Sequence, residues 1–335
     1  MKLSLLPSGD DYSDLEFSTQ LLIKEALSRK INVEVLDRHY NIIRLSNHSK
    51  IEYIQQATRT SVDSHITSRL LDNKYMTKMR LAEQGIPVPK GSIYYSFEDL
   101  QVAFEYYHNH HSVVKPNSLS SGRKISFLSP DSPFEEWQKA FEIVFQNDTA
   151  IVVETFVGGN DFRFLVIDYR CVAVVQRVPA NVVGDGKHTL KKLVEIKNRD
   201  FRRGQLNNTP LCPLIPDRIG LKEIARQRLT FESIPAPEQT VYLRQTANIS
   251  TGGDSIDFTD QVHESYKTIA EISAKTLGAR ITGVDLLIEN PSRPRSDYNC
   301  FIVELNANPA LAIHSHPYQG KGRPVGSDVL NLLGF

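Results

Sequence analysis

The sequence predicts an α+β chain of two or three lobes that opens with a small α/β module, and three observations carry that expectation. A length of 335 residues is enough to bury a substantial core, with two or three lobes as the natural subdivision. Strand-type and helix-type runs alternate along most of the chain. Two strand-type runs near the C-terminus, GVDLLIE (Gly283–Glu289) and IVELNANPA (Ile302–Ala310), fold onto each other across the Pro- and Arg-rich stretch NPSRPRSDYN. With that loop centred between Pro294 and Arg295, Asp285 lies opposite Glu304. Side chains alternate along a strand. Glu304 and Asn306 therefore share a face with Asp285, and the aliphatic residues of both runs share the other. Two carboxylates and a carboxamide with no base nearby suit Mg²⁺, which takes oxygen ligands and usually one or two carboxylates plus substrate phosphates. A solvated hairpin face fits the same pattern, and the strands alone leave both readings open.

Composition narrows the function classes. Basic and acidic residues balance at 39 each, so no global field draws the chain to nucleic acid or an anionic membrane. No apolar run approaches the ~20 residues of a membrane span. The N-terminal MKLSLLPSGDDYSDLEF turns acidic where a signal peptide needs a long apolar core. Cys171, Cys212 and Cys300 are odd in number, scattered and without metal spacing, which suits a reducing compartment. The expectation is a cytoplasmic protein with small-molecule substrates and neither nucleic-acid nor membrane partners. A homodimer through the N-terminal lobe is compatible with it.

Each element follows from local pattern. Leu15–Ala26 has helical apolar spacing, and strand-type runs follow at Asn32–Leu36, Ile42–Leu45 and Ile51–Ile54. Helices are expected at Asp63–Leu71 and from Tyr75 to Gly85, with Pro87 as a stop. Lys74 sits at their junction. From Val88 to Ala150 the order is strand, helix, strand, loop, strand, helix. There the strand VVKP delivers Lys115 to a Ser/Gly loop whose hydroxyls and free N–H groups can close over phosphates. No Walker or G-x-G-x-x-G motif occurs, and GDGKHT at Gly184 reads as a hairpin turn. His108, His110 and His111 read as solvent-exposed. A strand Ile151–Val153 ends in Glu154, and a hinge Thr155–Gly159 leads to a strand holding Asp161 and Arg163. Val172–Val183 reads as another β pair containing Arg177, and Lys187–Arg203 as a partly basic helix. Pro210–Pro237 reads as a loop–helix–loop insertion, and Val241–Leu243 as a strand presenting Arg244 before the polar loop from Asn248 to Asp260. A helix over Asp260–Leu277 buries Val262, Tyr266, Ile269, Ala270, Ser273 and Leu277.

Taken in order, these segments resemble the ATP-grasp ligases from about Ser68 to the C-terminus. LLDNKYMTKMRLAEQGIPVPKG is similar to the family's entry helix, with Lys74 as the first nucleotide lysine. VVKPN supplies the second as Lys115, followed by a phosphate-covering loop with Ser120, Ser121 and Gly122. VVETFVGGNDFR resembles the adenine hinge, with Glu154, Phe156 and Val157 at the base and Asp161 at the ribose. GVDLL and VELNANP resemble the metal-binding pair Asp285, Glu304 and Asn306. VPANVVGDGKHTLKKLVE, NRDFRRG, LRQTANISTGGDSIDFTD and PYQGKGRPVGSDVLNLLGF resemble the ATP-grasp module of bifunctional γ-glutamylcysteine synthetase–glutathione synthetases, and cyanophycin synthetases share much of the pattern. D-alanine–D-alanine ligases carry an arginine just before their metal aspartate, where this sequence has Gly283.

The resemblance implies an ATP-grasp fold of two lobes clasping ATP, with residues 1–72 preceding it, 73–155 as central lobe and 156–335 as C-terminal lobe. It implies a ligase that uses ATP and Mg²⁺, or Mn²⁺ in its place, to join a carboxylate to an amine through an acylphosphate. Arg177 and Arg244 are the candidates for charge stabilisation during transfer, and the covering loop should close to exclude water. Arg163, Arg203, Asn248 and Asn308 are the candidate substrate contacts. A glutathione-synthetase-like reaction (γ-glutamyl dipeptide plus small amino acid) and a cyanophycin-synthetase-like one both fit. A nucleotide-binding module without turnover is a third reading, opposed by the intact set of lysines, acids and arginines. The large ligase domain of the bifunctional enzymes has no counterpart in the sequence, so a separate protein is expected to supply the peptide.

Overall fold

Short polar side chains set where the helices begin. Ser64 accepts a hydrogen bond from the Thr67 N–H at 3.0 Å, Asn73 from Met76 at 2.9 Å, and Asp217 from Gly220 at 2.9 Å. Each satisfies an N–H that the first helical turn leaves without a partner. The computed structural model describes residues 12–119, 124–204, 208–296 and 299–335. In chain order the elements are α1 (Phe17–Ser28), β1 (Asn32–Asp37), β2 (Ile42–Ser46), β3 (Ile51–Gln55), α2 (His65–Asp72), α3 (Lys74–Ala82), β4 (Gly91–Tyr94), α4 (Leu100–Tyr107), β5 (Ser112–Pro116) and β6 (Ser126–Leu128). Then come α5 (Phe134–Phe145), β7 (Ile151–Thr155), β8 (Asn160–Ile167), β9 (Arg170–Val178), β10 (Asn181–Val183), α6 (Leu190–Lys197) and α7 (Arg218–Arg226). The chain ends with β11 (Thr240–Tyr242), β12 (Asp254–Asp257), α8 (Glu264–Thr276), β13 (Ile281–Ile288), β14 (Cys300–Asn306), α9 (Ala312–Ser315) and α10 (Val325–Leu333).

These elements cluster into two units, each built from separated stretches of chain. The first takes the described residues up to Val62, Val172–Asp260 and Asn308–Phe335; the second takes Asp63–Cys171 and Gln261–Ala307. The contiguous stretches 1–72, 73–155 and 156–335 expected from the sequence are not the bodies by which contacts cluster.

In the first unit, β1, β2 and β3 form an antiparallel meander with Val33 opposite Leu45 and Ile43 opposite Ile54. β9 pairs with β12 and β10 with β11. The expected pair within Val172–Val183 is thus two strands, each claimed by a distant partner. Ala180, Val182, Leu190, Leu193, Val194, Leu214, Ile224, Val241 and Leu243 make one of its cores. The GDGKHT stretch is not a hairpin turn. Asp185 accepts the N–H groups of Lys187 (2.9 Å) and His188 (2.8 Å) in a loop from β10 into α6. α6 stops at Lys197, short of the Arg203 expected. There Asn198 exchanges hydrogen bonds with the Leu214 backbone at 2.8 and 2.9 Å, and Asp200 accepts the Arg202 N–H at 2.9 Å. Such local bonds compete with a continuing helix.

The second unit holds the antiparallel sheet β4-β7-β5-β6. α4 and α5 pack on it through Leu100, Ala103, Tyr107, Trp137, Ala140, Phe141 and Val144. Burying an aliphatic or aromatic side chain of this kind contributes about 1.5–3 kcal/mol. β13 lies antiparallel between β8 and β14. Its register places Asp285 opposite Glu304, as the loop centring predicts, and then slips by one residue so that Leu286 faces Ile302. Val303 is the extra residue of that bulge. Ile302, which strict alternation would put beside Glu304, is fully buried instead.

Gly159, at the start of this strand system, has φ +130°, and a Cβ there would lie 2.8 Å from the Ile288 nitrogen; nothing lies within 4 Å of one at Gly158. Gly159→Ala is expected to cost about 1–3 kcal/mol in a denaturant titration, with Gly158→Ala near neutral. Equal effects would refute the close approach to β13. No helix among the described residues is long and apolar enough to cross a membrane.

Candidate functional site

The end of β5 organises one side of the site in the second unit. Asn117, buried just beyond Pro116, accepts the Tyr75 N–H on its side-chain oxygen at 3.0 Å and the Lys74 N–H on its backbone oxygen at 3.2 Å. This ties the first turn of α3 to the strand that carries Lys115. The Lys74 ammonium donates to the Leu119 carbonyl at 2.6 Å and the Asn117 carbonyl at 3.4 Å. Burial pushes its pKa down, against the pull of Glu304.

Behind it lies a buried group of three charges. Lys115 donates to one oxygen of Glu154 and Lys78 to the other. Their relative exposures of 8% (Lys115), 5% (Lys78) and 3% (Glu154) leave little room for solvent to screen them. Burial pushes the Glu154 carboxyl up, but the two ammoniums outweigh it and hold it below the ordinary carboxylate range. Burial lowers the Lys78 ammonium, and the charge of Lys115 adds to that fall. Burial also acts to lower Lys115, but Glu154 overcomes it and the group is held up. Room for Glu154 comes from Gly91 on β4, where a Cβ would lie 2.8 Å from the Glu154 Cβ.

The carboxylate pair forms the other side. Asn306 donates through Nδ2 to Glu304 at 3.2 Å and to Asp285 at 3.4 Å, joining the three side chains in one group. Strand register also sets Arg163 of β8 directly opposite Asp285. Arg163 donates to both Asp285 oxygens, through Nε to Oδ1 and through Nη2 to Oδ2 at 2.8 Å. Arg163, read from sequence as a substrate contact, thus has a carboxylate of its own chain as partner. Among the described residues no cluster of three or more His, Cys, Asp or Glu could hold a metal alone. Two carboxylates beside a carboxamide, all oxygen-bearing, fit a hard cation that completes its shell with phosphate oxygens. Glu304 acts electrostatically on both Lys74 and Lys115, so the oxygen group and the lysines belong to one site.

Comparison with known proteins bears on the fold. A family model described as an ATP-grasp-like domain matches residues 13–66. The chain is 44% identical over 322 residues to the glutathione biosynthesis bifunctional protein GshAB of Clostridium perfringens, covering 96% of this chain and 41% of that protein. The protein of the same name from Listeria innocua is 41% identical over 326 residues, with the same coverage. The crystal structure of a bifunctional glutathione synthetase from Pasteurella multocida matches with a TM-score of 0.75 at 36% identity, over 96% of this chain and 44% of that one. The chain has the ATP-grasp fold. It spans about two fifths of the length of the curated relatives it matches (41% for each of the two above).

The remaining candidate residues of this ATP-grasp chain divide between its units. In the second, Phe156 is half-exposed and meets Phe127 edge-on with centroids 6.2 Å apart. Val157 and Asp161 are half-buried, with Asp161 opposite Leu287. Glu154, assigned from sequence to the purine base, points its carboxylate into the buried lysine pair. Ser120, Ser121 and Gly122 lie outside the described residues.

The other five belong to the first unit. Arg177 lies opposite Ser255 on β9. Arg244 donates to Asp217 and to the Leu243 carbonyl, each at 2.8 Å. Arg203 pairs with Asp254 and donates to the Cys212 carbonyl at 2.7 Å, while Lys197 donates to the same aspartate at 2.6 Å. Asn248 caps its own turn by accepting the Ser250 N–H at 3.0 Å. Asn308, read as facing substrate, accepts from the Thr58 hydroxyl and donates to Gln56 at 2.9 Å. Lys78 escaped the sequence reading. Its signal was the four-residue spacing from Lys74, which puts both on one helix face.

Proposed function

We propose that this chain is an ATP-dependent carboxylate–amine ligase of the glutathione-synthetase type, joining a γ-glutamyl dipeptide to a small amino acid such as glycine. The carrying observation is the charge arrangement of the second unit, where Lys74 and Lys115 both lie in the field of Glu304, which the Asn306 amide joins to Asp285. Cations beside an oxygen-ligand group suit a triphosphate with its metal ion. In this reading Lys74 and Lys115 neutralise the phosphates, and Asp161 and the Phe156–Val157 backbone meet the nucleoside. Asp285, Glu304 and Asn306 would hold Mg²⁺, or Mn²⁺ in its place. When bound, the ion would offset the charge of the transferring phosphoryl group. Arg163 then serves as the cation that orients Asp285 through both of its oxygens. Arg177 and Arg244, the candidates for charge stabilisation, belong to the first unit, where Arg244 donates to Asp217 and to the Leu243 carbonyl.

The similarity to glutathione biosynthesis bifunctional proteins supports the choice of substrate. The test is phosphate release from ATP by the whole chain with Mg²⁺, γ-glutamylcysteine and glycine. Release should require the dipeptide and rise with glycine above the no-amine control. No rise would overturn the substrate assignment, and release with another carboxylate and amine from a panel would transfer the chemistry to a cyanophycin-synthetase-like pair.

A further inference from the structure

The buried face of α3 carries a lysine where its pattern calls for an aliphatic residue. Thr77, Lys78 and Leu81 are the buried residues of this helix. Lys78 and Lys115 each hold a different oxygen of Glu154. One carboxylate cannot neutralise two ammoniums, so keeping both charged out of water is costly until an anion joins them, and burial with the charge of Lys115 brings Lys78 down to about 7. The two lysines are not equivalent. Glu304 acts on Lys115 as it does on Lys74, while the charges that act most on Lys78 are those of Lys115 and Glu154. Of the two, Lys115 is the one on which the charge of Glu304 acts appreciably.

We propose that Lys78 is a positioning residue that keeps Glu154 paired when the Lys115 ammonium turns to the phosphates of a nucleoside triphosphate. This rests on the ATP reading above. Without Lys78, a shift of Lys115 would strand Glu154 buried and unpaired, so Lys115 stays on the carboxylate and the phosphates lose a cation. Lys78 itself touches no nucleotide; its effect passes through Glu154 to Lys115.

Calorimetric titration of the full chain with MgATP tests the idea. Lys78→Met is expected to weaken binding at least about tenfold, and Lys78→Arg, which keeps a cation on Glu154, to stay within about threefold of wild type. Adding Glu154→Gln to Lys78→Met removes the carboxylate that detains Lys115 and should return most of the loss, a recovery that a merely structural lysine would not produce. Should Lys78→Met fail to fold, Lys78→Gln, which leaves the Lys115–Glu154 pair intact and keeps a donor beside the carboxylate, takes its place with the same expected loss. Binding by the double variant within about tenfold of wild type supports the proposal, and a larger loss overturns it. Wild-type affinity in a folded Lys78→Met also overturns it. Absence of MgATP binding by the wild-type chain would instead overturn the ATP reading, and this inference with it.

Discussion

Glu304→Gln is expected to lower ATP-dependent phosphate release by roughly 10²–10³ while leaving the unfolding midpoint nearly unchanged. Glu304 is half-buried, and the Asn306 amide at 3.2 Å is compatible with a neutral side chain of the same shape. The substitution removes a charge that faces Lys74 and Lys115 and leaves no buried ion without a partner. Asp285→Asn should also stop turnover, but its meaning is less direct. Asp285 is 1% exposed and bound through both oxygens to Arg163, so neutralising it costs about 3–5 kcal/mol of folding free energy as well. Phosphate release together with chemical denaturation separates the two effects. Full turnover by a folded Glu304→Gln variant would refute the assignment of this carboxylate.

Glu154→Ala is expected to destabilise the chain by about 3–5 kcal/mol at neutral pH, because it leaves Lys78 and Lys115 buried without a counter-charge. The effect has a defined pH dependence. The Glu154 carboxyl is held below its ordinary value in the folded state, despite burial, by Lys115 and Lys78. Its contribution is therefore present above the unfolded carboxylate pKa of about 4.3 and is lost as pH falls through the folded value. The gap between wild type and variant in denaturant titrations should be wide at neutral pH and close under acid conditions. A gap that persists when Glu154 is protonated would mean that packing, not the paired charge, sets the cost.

Much of the second unit was legible in the linear pattern, because its information is local. Two-residue alternation with a loop centred between Pro294 and Arg295 was enough to set Asp285 opposite Glu304. The apolar spacing of α8 anticipated its buried residues, and VVKP anticipated the wholly buried β5. Lys78 was missed for a physical reason. Periodicity assigns charge to solvent, and a buried lysine is stable only because a glutamate 76 positions later in the chain meets it.

The sequence by itself determined many of the elements and their order, though not β12, which it read as polar loop, together with the oxygen-rich hairpin and the likeness to ATP-grasp ligases, since helix caps, alternation and motif spacing act over a few residues. Only the tertiary structure decided the partners. It paired β9 with β12 and β10 with β11, turned Ile302 inward at a bulge, and gave Asp285 to Arg163 and Asn308 to Thr58 and Gln56. Those outcomes depend on which distant strand satisfies an edge and which distant charge satisfies a buried ion, and neither is written in the residues beside them.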